Sequence, residues 1–382
     1  MPQNLIFYSI TFGCDPEFFF SKSGKILGAE KILPEGGMIY KPGEGIKKND
    51  GDNTTVSSQG FNSSKIVIDG VQAELNPRPN TCRANLANEI SCCMTKLYKE
   101  IIKTNEGLSI DFSQNIKVDK KEFTSLSEKS KRLGCAASAN AYGEKSKINI
   151  KKSRILTSRS AGGHIHIGTS NTDTNKVKKV LQNAANLVPL LDAIVGNTCV
   201  LIDRDPGNIK RRRLYGRAGE YRTPKHGLEY RVLSNFWLRN YALMSFVMGL
   251  VRQTVIIAAN STFGDNYAKM IQSAVKRADI KKAINQNDFA QAYINFKKIE
   301  PLLCEMFPEN RTDYPLTGEN MNLFRHFVRR GLDHWFKEEP LKHWVNLPEG
   351  HDRGWETFLE TKVKDDLTEA NKEAKRQLKP CN

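Results

Sequence analysis

Four short runs in the first 240 residues carry side chains able to do chemistry. They are Cys14-Asp15-Pro16-Glu17-Phe18, Val71-Gln72-Ala73-Glu74-Leu75-Asn76, Gly162-Gly163-His164-Ile165-His166-Ile167-Gly168, and Gly227-Leu228-Glu229-Tyr230-Arg231. In each, polar residues recur at every second position. A strand would therefore put Asp15 with Glu17, His164 with His166, and Glu229 with Arg231 on shared faces. The last run closes a basic stretch, Lys210 to Arg231, which holds eight Lys or Arg residues against two acids, Glu220 and Glu229. Carboxylate oxygens joined by an occasional imidazole suit Mg²⁺ or Mn²⁺ better than a closed zinc site. Arginines beside such a centre would neutralise a triphosphate and the charge that develops as its terminal phosphoryl group moves. Plainer readings remain open for each run taken alone: a capped turn with two exposed acids at Asp15 and Glu17, a solvent-facing strand side at Glu74, a solvated basic surface.

The elements that must position these residues follow from the surrounding pattern. Leu5 to Phe12 reads as a strand, and Phe18 to Leu27 as a hairpin turning at Ser21 to Gly24. Residues 34–64, rich in Gly, Ser, Asn, Asp and Lys, read as one long loop. Asp69-Gly70 between Lys65–Ile68 and Val71–Asn76 predicts a second hairpin, ended by Pro77 and Pro79. Helical spacing marks Arg83 to Ile102, and Asn175 to Val200 with a kink or division at Pro189. Tyr241 to Ala259 should be a buried helix, 265–306 two helices, and Phe324 to Trp344 an aromatic-rich helix. The histidines of that last helix, His326, His334 and His343, read as surface or packing residues. Leu359 to Leu378 reads as an exposed, charged helix. Residues 103–135 are polar and give no clear pattern.

Bulk composition bounds the function class. The chain has 382 residues, 39% hydrophobic and 26% charged, and can bury a large core in one elaborated domain or two. No run approaches eighteen apolar residues, so no transmembrane helix and no membrane partner are expected. The first residues lack a signal-peptide pattern, and the eight cysteines lack a CxxC pair, which together suggest reduced thiols in the cytoplasm. A net charge of +16 predicts attraction to polyanions. Neither GxxxxGK[ST] nor GxGxxG is present, so phosphates would be held by side chains and metal rather than by a glycine-rich loop. Two competing readings stand beside a nucleotide-using enzyme: a metal-dependent nuclease or phosphodiesterase, and a non-catalytic nucleic-acid-binding protein.

The four runs, together with Leu214-Tyr215-Gly216-Arg217-Ala218-Gly219, occur in the order found in the glutamine synthetase and glutamate–cysteine ligase superfamily. More closely, the chain resembles its phage-associated amidoligase branch, carboxylate–amine ligase type 2. The resemblance implies an α+β fold, a curved antiparallel sheet cradle of glutamine synthetase type with packed helices. The catalytic domain would span 1–260, with a helical extension over 261–382 packed on it. The implied reaction is ATP- and Mg²⁺- (or Mn²⁺-) dependent amide formation through an acyl phosphate. Carried over by motif, Glu17, Glu74, His164 and Glu229 would be metal ligands, with Asp15 a further candidate, and His166 would lie near the nucleotide. Arg213, Arg217 and Arg222 would bind phosphates, and Arg231 would stabilise the transferring group, so that Arg217, Glu229 and Arg231 form the catalytic set. Lys210, Arg211 and Arg212 are left as surface residues, and Glu220, Tyr221 and the 34–64 loop have no assigned role. The implied partners are a small-molecule or peptide carboxylate donor and an amine acceptor, in the host cytoplasm for a phage-encoded chain. Nucleic acid is compatible with the charge but not favoured, and the oligomeric state is left open.

Overall fold

At Asp15 and Pro16 the chain leaves one antiparallel sheet and enters another. The computed structural model describes residues 10–40, 63–132, 138–144, 157–169, 175–260, 266–309, 314–345, 347 and 354–377. Its strands, in chain order, are β1 (Ile10–Cys14), β2 (Glu17–Lys22), β3 (Lys25–Leu27), β4 (Met38–Tyr40), β5 (Ser64–Asp69), β6 (Gln72–Asn76), β7 (Leu108–Asp111), β8 (Asn115–Lys117), β9 (Ala139–Asn140), β10 (Ser158–Ser160), β11 (Ile165–Thr169), β12 (Glu220–Arg222) and β13 (Gly227–Tyr230). The first sheet runs β1-β11-β13-β12-β9, and the second β3-β2-β6-β5-β4 with β7 also on β2. A two-stranded ribbon, β8 with β10, completes the set. The architecture is α+β with antiparallel sheets.

Register brings the chemistry into line. In the first sheet His166 pairs with both Gly13 and Glu229. In the second, Glu74 of β6 lies between Glu17 of β2 and Val67 of β5. Alternation then does what the sequence requires of it. Ile165, Ile167, Leu228 and Tyr230 are fully buried, while the polar partners of β11 and β13 share the opposite face. Beneath the first sheet, the phenol of Tyr230 donates to buried Asp192 at 2.7 Å. Burial pushes that carboxyl up to about 7 even though the phenol hydrogen bond lowers it.

Helices cover the apolar faces and join one hydrophobic cluster that includes residues from Ile10 to Val363. Two stretches, Ala184–Ile202 and Tyr241–Asn260, are long and apolar enough to cross a membrane, where the sequence predicts no such helix; the second is the buried helix expected over Tyr241 to Ala259. Their most apolar windows are 83% and 94% buried inside the protein.

Several boundaries differ from expectation. The predicted loop 34–64 contains β4 at Met38–Tyr40, and its residues 41–62 lie outside those described. The predicted strand Leu5 to Phe12 is seen from Ile10 onward, running to Cys14, and residues 5–9 lie outside the described set. The helix expected over 175–200 breaks at Asn183, whose backbone leaves helical geometry and whose carbonyl accepts from Asn186 and Leu187. Pro189 instead sits inside Ala184–Leu191, and the chain relaxes through a π-turn at Asp192–Gly196. Residues 265–306 hold three helices rather than two, because Lys276 is extended and Asn287 takes a positive φ of 51°. The aromatic-rich helix expected at 324–344 divides at Gly331, φ 80°. His326 and His334 both reach Asp366 of the C-terminal helix, at 2.6 and 2.9 Å. Hairpins β2–β3 and β5–β6 turn where expected, at Ser23-Gly24 and at Gly70, all with positive φ.

Candidate active site

Where the two sheets meet, two groups of ligating side chains form. Asp15, His166 and Glu229 make one, and Glu17, Asp69 and Glu74 the other; within each, ligand atoms lie within 4.8 Å of one another. Asp15 stands between the imidazoles, with Oδ1 3.2 Å from His164 Nδ1 and Oδ2 3.2 Å from His166 Nε2. Glu229 Oε1 lies 3.0 Å from Arg231 Nε and 3.6 Å from His164 Nδ1, and its Oε2 lies 3.7 Å from Arg222 Nη1. Arg231 and His164 are deeply buried at 0% and 2% exposure, so this first group holds a sequestered guanidinium beside a buried imidazole.

The second group is acidic throughout. Glu17 is buried, and its Oε2 accepts from the Gly162 amide at 2.6 Å, the Tyr215 hydroxyl at 2.9 Å and Gln72 Nε2 at 3.3 Å. Asn76 donates to Glu74 Oε1 at 2.7 Å. These are neutral donors. Burial, with the Asp69 charge next, therefore pushes Glu17 up to about 7, and burial with Asp15, Asp69 and Glu17 pushes Glu74 up to about 9. Asp69 is raised by burial and by Asp15, against the pull of Arg222 and Arg231. Across the seam the balance reverses. Burial alone would raise Asp15, but His164 and His166 outweigh it and hold the carboxyl well below its usual range. Burial lowers His164, while for His166 the neighbouring Asp15 outweighs burial and raises it.

The Gly162-Gly163 pair explains how His164 arrives there. A Cβ at Gly162 would come within 2.5 Å of His164 Nε2, and one at Gly163 within 2.3 Å of the Ser234 carbonyl. Glycine at both positions leaves room for the His164 ring and for the Ser234 backbone, while the Gly162 amide donates to Glu17.

A divalent cation fits both groups. The donors are carboxylate oxygens with imidazole nitrogens, the set that hard cations take. Asp15 Oδ1, Glu229 Oε1 and His164 Nε2 are buried and make no well-formed hydrogen bond among the described residues. In the second group burial and neighbouring carboxylates raise all three carboxyls, and Arg222 and Arg231 offset this only at Asp69, so an added cation would be favoured there.

The structure brings together Asp15, Glu17, Glu74, His164, His166, Arg222, Glu229 and Arg231. It does not bring Arg213 and Arg217 to them. Arg213 is exposed on the helix Gly207–Leu214, and Arg217 pairs with Glu144 at 3.1 Å. Arg211 and Arg212 are not surface residues, contrary to the sequence reading. Arg211 is fully buried and donates to the carbonyls of Arg231, Val232 and Leu233, fixing the segment that presents Arg231. Arg212 is buried and donates to Asn287. Both lie at helical positions that face the core, which the unbroken run of four cations hid.

Four contributors escaped the sequence reading. Asp69 had been assigned to a turn. Its place at the head of a hairpin whose other strand carries Glu74 was the available signal. Tyr215 and Gln72 contact Glu17 through long-range packing that leaves no local pattern. His226, whose Nε2 lies 2.9 Å from His166 Nδ1, sits in the β12–β13 turn directly before Gly227. Glu220, left without a role, is buried and accepts the Gly216 amide at 2.8 Å.

A family model described as phage phiEco32-like COOH.NH2 ligase-type 2 matches residues 138–328, half of the chain. The matched span carries β11, β12 and β13, hence His164, His166, Arg222, Glu229 and Arg231. Among solved structures, a bifunctional glutathione synthetase from Pasteurella multocida aligns at 9% identity with a TM-score of 0.37, over 78% of this chain and 50% of that one. The chain thus spans about half the length of that structure, and a likeness of this degree carries no argument. No curated protein matches the chain.

Proposed function

Because the chain belongs to the phage phiEco32-like COOH.NH2 ligase-type 2 family, we propose that this carboxylate–amine ligase activates its carboxylate with ATP, at the seam between the two sheets. The observation that carries the reading is the convergence of six ligating side chains, in two groups, with the guanidiniums of Arg222 and Arg231 beside them. Bound Mg²⁺ or Mn²⁺ would supply Lewis-acid polarisation and charge neutralisation of the phosphates. Glu17, Asp69 and Glu74 would hold it on one side, and Asp15, Glu229 and an imidazole of the His164/His166 pair on the other.

Carboxylate and amine do not condense in water, since the carboxylate is a poor electrophile with a poor leaving group. In the proposed sequence a substrate carboxylate oxygen attacks the γ-phosphorus, the bond to the β-phosphate oxygen breaks, and ADP leaves. The amine nitrogen then attacks the acyl phosphate carbon, inorganic phosphate departs, and the amine proton passes to solvent. Arg231, fixed through the Arg211-bound backbone and its contact with Glu229, is placed to stabilise charge on the transferring group, and Arg222 to hold a phosphate. Glu229 orients Arg231. The Tyr215 hydroxyl and the Gly162 amide fix Glu17, leaving its second oxygen to bind.

The wider reading is a glutamine synthetase-like cradle with a catalytic part over 1–260 and a helical extension over 261–382, acting on a small-molecule or peptide donor and an amine acceptor. ADP release by the purified full chain, with Mg²⁺ and a panel of amines, tests it. Release that requires an amine supports the reading. An absence of ATP–Mg²⁺ binding by calorimetry ends it.

A further inference from the structure

At the β9 edge of the first sheet, two cations pair with one acid, and a third cation lies over the neighbouring Tyr142 ring. Glu144 is paired with Arg217 at 3.1 Å and, more closely still, with Lys281. Arg277 completes the trio, its guanidinium carbon 5.2 Å from the centre of the Tyr142 ring, with Lys281 Nζ 5.9 Å from the same centre. Arg277 and Lys281 lie at i and i+4 on the helix Arg277–Asn285, where like charges repel. Arg277 is also the first residue of that helix, the end at which a positive charge opposes the helix dipole. Neither placement favours folding, and both become favourable when an anion lies between them.

The scaffold under these side chains is rigid. The Ala141 amide donates to Gly219 O, Asn140 Nδ2 to Ala218 O, and the Ala218 amide to Asn285 Oδ1, tying the 139–144 turn, the segment before β12 and the helix end into one unit. That unit adjoins the proposed reaction centre: Asn140 pairs with buried Glu220, whose carbonyl accepts the Arg231 amide at 3.2 Å. The side chain that Arg217 and Lys281 hold is itself a carboxylate, 24% exposed, and this identifies the chemical class they recognise.

We propose that Arg217, Arg277 and Lys281 form a subsite for a second, non-reacting carboxylate of an acidic substrate, and that Glu144 fills this subsite until the substrate displaces it. The proposal deepens the ligase reading above and rests on it for the identity of the substrate. It also gives Arg217 a role other than the phosphate contact expected from sequence.

Glutarate, a dicarboxylate, is the probe, titrated calorimetrically into the full chain without nucleotide. Removing the internal competitor in Glu144→Gln should tighten glutarate binding by about tenfold over the unsubstituted protein. Adding Lys281→Met to Glu144→Gln should abolish the gain. Thermal melts, and ATP–Mg²⁺ titrations of the same variants, report folding and the reaction centre separately. Equal glutarate affinity with and without Glu144, or no binding to either, overturns the subsite even where ATP–Mg²⁺ binds. Glutarate binding of the expected pattern without ATP binding upholds the subsite and leaves the ligase reading to fail alone.

Discussion

The two acidic groups differ in one respect that decides their behaviour. Around Asp15 and Glu229 stand His164, His166, Arg222 and Arg231, so this side is nearly charge-balanced within the protein. Around Glu17, Asp69 and Glu74 the closest donors are an amide, a phenol and two carboxamides. Carboxyls on the two sides are therefore shifted in opposite directions: Asp15 far below its usual range, Glu74 up to about 9. The cation-rich side is held together by its own ion pairs. The acidic side stores repulsion that an added cation would relieve, and the contrast ties metal binding to stability.

Breaking the balanced side should cost most. Glu229→Gln removes the carboxylate from the almost fully buried Arg231, and loss of one partner from a buried pair destabilises by about 3–5 kcal/mol. Urea unfolding of the metal-free protein reads this directly, and an unchanged midpoint would show that Glu229 contributes no such pairing. Arg211→Ala deletes three hydrogen bonds from a buried guanidinium to consecutive carbonyls, and about 3 kcal/mol should be lost. If Arg211 were a surface residue, the denaturation midpoint would not move.

The acidic side gives a pH-dependent effect. Glu17 and Glu74 have folded-state values above their unfolded ones, so the folded form binds more protons, and the metal-free protein loses stability as pH rises from the ordinary carboxylate range through about 7 and then about 9. A cation that binds the ionised form opposes that loss. The rise in Tm caused by Mg²⁺ should thus be larger at about pH 8.5 than at about pH 6. Equal shifts at both values would remove the repulsion argument. The smallest effect, of opposite sign to Glu229→Gln, belongs to Glu74→Gln. It should stabilise the metal-free protein by about 1 kcal/mol at about pH 8 while abolishing most of the Mg²⁺ response.

Much of the site was legible because strands announce themselves through period two. His164 with His166, and Glu229 with Arg231, share faces as alternation requires, and the Asp69-Gly70 turn lies where its dipeptide places it. What stayed hidden depends on contacts between distant segments. Tyr215 reaches Glu17 across 198 positions of sequence, and no local pattern encodes that distance. Arg211 looked like solvated charge because composition cannot report that a helix turns one arginine inward to three carbonyls. Strands β7 and β8, in the polar run 108–117, pair with β2 and β10 and do bury alternate residues, Leu108, Ile110 and Ile116, but each is too short for that alternation to stand out among the surrounding polar residues.

Manganese stoichiometry tests the central claim most directly. Titration of the full chain with Mn²⁺ at about pH 8, followed by paramagnetic resonance of the free ion, should find two bound ions per chain, one for each acidic group, with one retained in Glu74→Gln and one in Glu229→Gln. Two ions retained by both variants, or none bound by the unsubstituted protein, would contradict the assignment of these carboxylates to metal.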